Sequence, residues 1–366
     1  MKSLKQIKNI KGKTALVRVD FNVPIRDGKI LDDFRIQKAM PTIKFLQKKG
    51  AKIILISHLD KESGTTLKPV ADYLNKFLKT KFITSPHQNF SSCALPEVSG
   101  GTLGDKNFQE ASICLLENLR LNKGEESNSS AFAKQLASMA DIYVNEAFPV
   151  CHRKHASIVG VPKYLPSYAG FQLEAEIKNL EMAESPAHPF LFILGGAKFE
   201  TKIPLIKKYL KKADAVFVGG ALMNNFFKED GIDVSKSLVD NKNFGLKKMM
   251  DNKKLILPVD VVVKNKAFVD IGENSTQMLI DLIKKSKFVL MNGPMGNYEN
   301  GFGQATEEIL KALAKSKAKV VIGGGDTVDL VSKLNLEKKF FFVSTGGGAM
   351  LEFLLKGTLP GIEALR

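Results

Sequence analysis

Two sets of residues in this sequence have the types and spacing to handle phosphate groups. The first centres on Gly323-Gly-Gly-Asp-Thr327, preceded by the β-branched run Lys319 to Ile322 and followed by Val328, Leu330 and Val331 at helical spacing. That order predicts a strand, a glycine turn and a helix headed by Asp326-Thr327. Glycines let backbone N–H groups approach an anion, a helix N-terminus adds positive potential, and Asp326 can accept a metal ion that accompanies a phosphate. Lys198 and Lys202, four apart at the start of another predicted helix, would present two ammonium groups on one face. The second set is built on arginine. Arg35 falls in the first turn of a helix predicted over Asp33 to Lys49, where its charge opposes the helix dipole and a bound anion would offset the cost. Arg120 follows a predicted strand at Ser112 to Leu116, and Arg153 lies in the basic loop Cys151-His-Arg-Lys-His155. These three arginines would converge on one anionic group.

Polar residues at other strand ends join them. Asp20 and Asn22 close the predicted strand Thr14 to Val19, and His58, with Lys61 beside it, follows the strand Lys52 to Ser57. Side chains at the carboxyl ends of strands in an open α/β sheet point into the crevice where ligands bind. Plainer roles compete: an Asx turn for Asp20 and Asn22, a hydrogen-bonded turn for His58, a metal for the pair His152 and His155. Three cations without a carboxylate pattern favour an anion at that last loop. Gly12-Lys13-Thr14 imitates the end of a P-loop, but Ile7 stands where glycine is needed and no strand precedes it.

The elements that must carry these residues repeat a strand, turn and helix rhythm in two halves. A helix predicted over Leu173 to Ala183 ends at Ser185-Pro-Ala-His-Pro189, which reads as their join. Beyond it, strands at Phe190 to Leu194, Ala215 to Val218, Lys254 to Leu257, Phe288 to Met291, Lys319 to Ile322 and Phe340 to Val343 each run into a small or polar turn. Several such turns on one sheet edge suggest a nucleotide surface.

A chain of 366 residues is too long for one ordinary core, so two domains are expected. No apolar run reaches spanning length, and Met1 to Lys13 is basic and polar, which leads us to expect a soluble protein. Cys93, Cys114 and Cys151 are far apart and lack CxxC spacing, as in a reducing cytoplasm. The net charge of +16 invites a nucleic-acid reading. Its distribution argues otherwise: only six of the 54 basic residues are arginine, and the lysines scatter over predicted helix surfaces.

Taken in order, Arg18-Val-Asp-Phe-Asn-Val-Pro24, Ser57-His-Leu59, Leu115-Leu-Glu-Asn-Leu-Arg120, His152-Arg-Lys-His-Ala-Ser157, Gly195-Gly-Ala-Lys198, Asn292-Gly-Pro-Met-Gly296, Gly323-Gly-Gly-Asp-Thr327 and Ser344-Thr-Gly-Gly-Gly348 resemble the phosphoglycerate kinase family. The resemblance implies an α/β protein of two Rossmann-like domains, each a parallel sheet covered by helices, facing each other across a hinged cleft. It implies a phosphoglycerate domain at 1–170, an interdomain helix and linker at 171–186, a nucleotide domain at 187–352 and a tail at 353–366 that returns to the first domain. Asp20, Phe21, Asn22, Arg35, His58, Lys61, Arg120 and Arg153 would hold 3-phosphoglycerate or 1,3-bisphosphoglycerate. Gly196, Lys198, Lys202, Gly220, Asn292, Pro294, Glu299, Gly324, Gly325, Asp326 and Thr327 would hold ADP or ATP, with Asp326 at Mg²⁺. Arg35, Lys198 and the N–H groups around Gly347 would surround the transferring phosphoryl group once the cleft closes. A cytoplasmic monomer without a dedicated nucleic-acid or membrane site is implied as well.

The sequence departs from the family pattern in places. Where the family has His-Leu-Gly-Arg-Pro, this chain has His58-Leu-Asp60-Lys61-Glu62, so lysine replaces the forked guanidinium and Asp60 brings a negative charge. Weaker phosphoglycerate binding is the expectation. Met291 replaces a tryptophan, Pro149-Val150-Cys151 replaces Gly-Thr-Ala, and Glu200-Thr201 stands in the lysine motif where both lysines remain. Two rivals stay open on the residues alone: a dinucleotide oxidoreductase, although G-x-G-x-x-G opening a helix is absent, and a nucleic-acid binder using the basic surface.

Overall fold

The computed structural model describes residues 1–60, 66–84 and 113–366, so Lys61 and Cys93 lie outside the described residues. The chain divides into two compact units, Met1–Glu176 together with Thr358–Arg366, and Ile177–Gly357.

In the first unit the strands are β1 (Thr14–Arg18), β2 (Ile25–Arg26), β3 (Lys29–Ile30), β4 (Lys52–Ile56), β5 (Thr80–Ile83), β6 (Ile113–Leu116), β7 (Ile142–Asn145) and β8 (Ser167–Ala169). Six of them form a parallel sheet in the order β5-β6-β4-β1-β7-β8, while β2 and β3 make a small antiparallel hairpin. The central strands are nearly continuous apolar runs because helices cover both faces of a parallel sheet. Val17, Leu55 and Val144 sit in one core with Ile36, Met40, Ile43 and Leu46, the apolar stripe of the Phe34–Lys48 helix. The tail returns within this unit through Gly361 N–H, which donates to Cys151 O at 2.8 Å.

In the second unit the strands are β9 (Phe190–Leu194), β10 (Ala215–Val218), β11 (Leu255–Ile256), β12 (Val261–Lys264), β13 (Ala267–Ile271), β14 (Phe288–Asn292), β15 (Lys319–Gly323) and β16 (Phe342–Val343). Its parallel sheet runs β11-β10-β9-β14-β15-β16, with β12 and β13 paired as an antiparallel hairpin. Strand order reverses between β9 and β14, and at such a switch point the turns leaving the two strands diverge and open a crevice. Phe190, Phe192, Tyr209 and Phe288 close the core beneath it, with the Phe192 and Tyr209 rings 4.4 Å apart. Each buried ring contributes on the order of 2 kcal/mol through the apolar area removed from water.

Local boundaries differ from the sequence expectations where the backbone has its own demands. The helix expected after Asp326-Thr327 spans Gly325–Lys333 and already includes both residues. Gly324 occupies the cap position with φ 101°, and no side chain caps the helix, so Asp326 lies in the first turn instead of heading it. The edge strands β11 and β16 are two residues long. The helix after Leu67 stops at Leu74, where Asn75 Oδ1 turns to accept Thr80 N–H at 2.7 Å. Among the described residues no helix is long and apolar enough to cross a membrane.

Candidate active site

In the first unit the carboxyl ends of β1, β4, β6 and β7 carry a cluster of cations around His58. Arg35, in the first turn of its helix, donates from Nη1 to Asp20 Oδ2 at 2.8 Å and to Asn22 O at 3.2 Å. No other nitrogen of Arg35 has a partner among the described residues. Asn22 and Asp60 hold each other through Asn22 Nδ2 to Asp60 Oδ2, 2.5 Å, and Asp60 N–H to Asn22 Oδ1, 3.0 Å. Arg120 pairs with Asp60 through Nη1 and approaches Glu126 through Nε at 3.3 Å. Its Nη2 is buried without a hydrogen-bond partner among the described residues. Asn22 N–H also turns onto Asp20 Oδ1 at 3.4 Å, so the Asx turn forms with Asp20 buried and Asn22 half-buried. Phe21 between them is fully buried and gives its N–H to Ser57 Oγ at 2.9 Å. It offers no free polar group, and its part is to fix the strand end from which Asp20 and Asn22 project.

His58 is held by a residue that sequence reasoning passed over. Arg18, fully buried in β1, donates from Nη2 to His58 Nδ1 at 3.2 Å and from Nε to Ser157 Oγ at 2.8 Å. Ser157 in turn donates Oγ–H to the buried Glu125 carboxylate at 2.5 Å and its N–H at 2.9 Å. A guanidinium can only donate, so Nδ1 accepts and the neutral ring carries its proton on Nε2. Burial first, then the charges of Arg18, Arg120, Arg153 and Arg35, hold the imidazole well below its usual pKa. His58 is therefore neutral at physiological pH, and four guanidinium groups share its surroundings. His155 is pushed down to about 4, by burial first and then by Arg153 and Arg18. Its Nδ1 lies 3.9 Å from Glu125, and no group of three or more metal-ligating side chains occurs among the described residues. An Arg in an otherwise apolar strand was the available sequence signal for Arg18.

In the second unit the glycine turns of β9, β10, β14 and β15 pack backbone on backbone around the switch point. Gly195 N–H donates to Asn292 O at 3.0 Å, Gly196 N–H to Pro294 O at 2.8 Å and Gly220 N–H to Met295 O at 3.0 Å. Gly220, at φ 59°, lies so close to Gly196 N and Pro294 O that no Cβ fits there. Gly324, at φ 101°, lies against Gly293 and buried Asn292, leaving Gly325 and Asp326 exposed at the helix start. Thr327 is fully buried, and its hydroxyl has no hydrogen-bond partner among the described residues. Such an orphan costs about 1–3 kcal/mol unless a ligand satisfies it.

The two lysines differ in how the helix start holds them. Lys198 is the cap of the Phe199–Tyr209 helix with ψ 79°, outside helical geometry, and its side chain is exposed. Lys202 is 5% exposed and its ammonium turns inward onto Gly195 O. Burial first and Lys198 second lower the Lys202 pKa to about 8, against the opposing pull of Asp326. The two ammonium groups are still electrostatic neighbours. Glu299 is exposed on the Tyr298–Asn300 turn, which Tyr298 OH ties to Asp329 of the Gly325–Lys333 helix at 2.8 Å. Gly347, at φ 49°, starts the Gly348–Lys356 helix beside β16.

Comparisons with known proteins agree on what surrounds these residues. The family model described as phosphoglycerate kinase matches residues 4–357. A phosphoglycerate kinase of Dictyoglomus turgidum is 40% identical over 390 aligned positions, covering 98% of this chain and 96% of the relative. One of Borreliella burgdorferi is 37% identical and covers 100% of this chain and 99% of the relative. Among solved structures, phosphoglycerate kinase from Coxiella burnetii superposes with a TM-score of 0.79 at 34% identity, covering 99% of this chain and 97% of that one. The enzyme from Pyrococcus horikoshii gives 0.83 at 28% identity, covering 100% and 98%. Two parallel six-stranded sheets under helices, carrying the packed glycine turns on one and the arginine cluster on the other, accompany a family match over nearly the whole length, and the chain belongs to the phosphoglycerate kinase family.

Proposed function

We propose that the protein transfers a phosphoryl group reversibly between 1,3-bisphosphoglycerate and ADP, giving 3-phosphoglycerate and ATP. The observation that carries this reading is the cation cluster of the first unit: Arg18, Arg35, Arg120 and Arg153 around a neutral His58, with a buried Arg120 nitrogen left without a partner. Asp20 and Asp60 neutralise this charge only in part, through one nitrogen each of Arg35 and Arg120, and what remains suits a small multivalent anion. In this reading Asp20, Asn22, Arg35, His58, Arg120 and Arg153 bind the phosphoglycerate, and Lys61 contributes a further cation. Gly196, Lys198, Lys202, Gly220, Asn292, Pro294, Glu299 and Gly324 to Thr327 bind the nucleotide. Residues 1–170 and 187–352 form the two substrate domains, 171–186 the connecting helix and linker, and 353–366 the returning tail. In this reading the enzyme works as a cytoplasmic monomer.

Transfer of this kind needs little covalent chemistry from the protein and depends on alignment and on neutralising the moving group. Arg35 and Lys198 would supply that charge from opposite domains when the cleft closes, with the N–H groups around Gly347 completing the cradle and water excluded. His58 would meet the substrate as a hydrogen-bond donor through Nε2–H and not as a cation. The donor set of the second unit fits Mg²⁺ carried by a nucleotide: one exposed carboxylate, Asp326, next to an orphan hydroxyl, Thr327 Oγ1, with nucleotide phosphates left to fill the remaining positions. Bound there, Mg²⁺ would neutralise phosphate charge.

A coupled assay for ATP formed from 1,3-bisphosphoglycerate and ADP tests the reading, and absence of turnover in the wild-type enzyme defeats it. In the same assay Asp326→Asn is expected to lower kcat/KM for Mg-ADP by about 10²-fold while leaving the KM for 3-phosphoglycerate in the reverse direction within about twofold. An Asp326→Asn enzyme with a wild-type dependence on Mg²⁺ would remove that residue from the metal site.

A further inference from the structure

The Asp60 carboxylate stands where a ligand anion would stand. It accepts from Asn22 Nδ2 and pairs with Arg120 Nη1, and its own N–H is fixed by Asn22 Oδ1 at 3.0 Å. Asn22 and Arg120 are two of the groups assigned above to the phosphoglycerate, so the proposal rests on that assignment. Among the described residues Arg120 has no comparable partner elsewhere: Nε only approaches Glu126 at 3.3 Å without a hydrogen bond, and Nη2 is buried and unsatisfied. Part of its binding capacity is thus used by the chain itself. Asp60 is 40% exposed and can swing away without opening a core, whereas Asn22 and Arg120 are fixed by the strand ends they leave.

We propose that Asp60 is an affinity-determining residue, an internal carboxylate that occupies the Asn22 and Arg120 positions of the phosphoglycerate site and that the substrate anion must displace. The displaced carboxylate then remains near the bound anion as a like charge, which weakens binding further. The contact raises the KM for phosphoglycerate without entering the transfer step, because the bound substrate anion has already displaced it. It also discriminates by charge. A substrate end that cannot replace a carboxylate on both Arg120 and Asn22 gains nothing by entering.

Asp60→Asn keeps the shape and the Asn22 contact while removing the charge. It is expected to lower the KM for 3-phosphoglycerate by about three- to tenfold, the weight of one part-exposed ion pair, with kcat and the nucleotide KM within about twofold. Inorganic sulfate should bind the ligand-free variant more tightly by a similar factor, read by calorimetry. Asp60→Gly, which removes the Asn22 contact too, should move both quantities in the same direction. An unchanged or raised KM and sulfate constant in both variants overturns the proposal and makes Asp60 a residue that orients Arg120 productively. The sulfate measurement needs no turnover, so an inactive wild-type enzyme defeats the functional reading while tighter sulfate binding by the variants still upholds the competition at Asp60.

Discussion

Replacing Arg35 by alanine is expected to reduce kcat by about 10²–10³-fold while changing the KM for nucleotide by less than about threefold. The reason begins with where the residue stands. A cation in the first turn of the Phe34–Lys48 helix opposes the positive end of the helix dipole, which Asp33 at the cap and Asp32, accepting Phe34 N–H at 2.8 Å, relieve only in part. Asp20 and Asn22 O anchor only Nη1, at 2.8 and 3.2 Å, which fixes the guanidinium plane and leaves the other nitrogens available to an anion. In the proposed role this preorganised cation would act on the transferring charge, so its loss should fall on kcat rather than on nucleotide binding. Arg35→Lys should recover part of the rate, since it restores charge but not the fork. Removal also leaves Asp20, 5% exposed, without its ion pair, so thermal melting of each variant separates a folding defect from a chemical one. A folded Arg35→Ala enzyme within tenfold of the wild-type kcat would show that Arg35 serves binding alone.

What the sequence made legible was set by short-range chemistry. The glycine turn after β15 could be read because Gly324, at φ 101°, needs a residue without a side chain, and the strands before the turns because a parallel sheet demands apolar runs. Arg35, Arg120 and Arg153 could be picked out because arginine is scarce in this chain. Convergence was a different matter. Arg18 reads as one residue of the Thr14–Arg18 strand, and only the fold brings Ser157, 139 positions away, to its Nε. Helical spacing could not show that Lys198 would be a cap residue outside helical geometry, or that Lys202 would turn its ammonium onto Gly195 O. Glu146 is a third case: its carboxylate, brought by β7, accepts Gln172 N–H at 3.1 Å and caps the Phe171–Glu181 helix from 26 residues away. Long-range electrostatic partners carry no periodic signal.

Lys202→Met is expected to make the protein more stable and the enzyme far worse. The folded chain holds the Lys202 proton less tightly than the unfolded chain, with a pKa of about 8 against 10.5, chiefly because burial disfavours the ammonium. Between those two values the unfolded chain binds more protons, so folding stability rises with pH across that window. Below about pH 8 the buried charge costs on the order of 3 kcal/mol, from which the contact with Gly195 O must already be counted as relief. Methionine fills a similar length without charge, so at pH 7 the variant should gain about 1–3 kcal/mol in denaturant unfolding, and its stability should lose the rise between pH 8 and 10.5. Catalysis moves the other way. The ammonium lies next to Gly196 and Gly293 at the switch point, where a nucleotide phosphate would meet it, and its loss should lower kcat/KM for ADP by about 10²–10³-fold. In the wild-type enzyme the KM for ADP should climb as pH rises through about 8, because the site must first take up a proton to receive the phosphate. Stability strained in this way is what a binding site for a highly charged ligand stores, and the ligand offsets it. A Lys202→Met protein that is no more stable than wild type at pH 7, or that keeps its activity on ADP, would show that the inward-turned ammonium is structural.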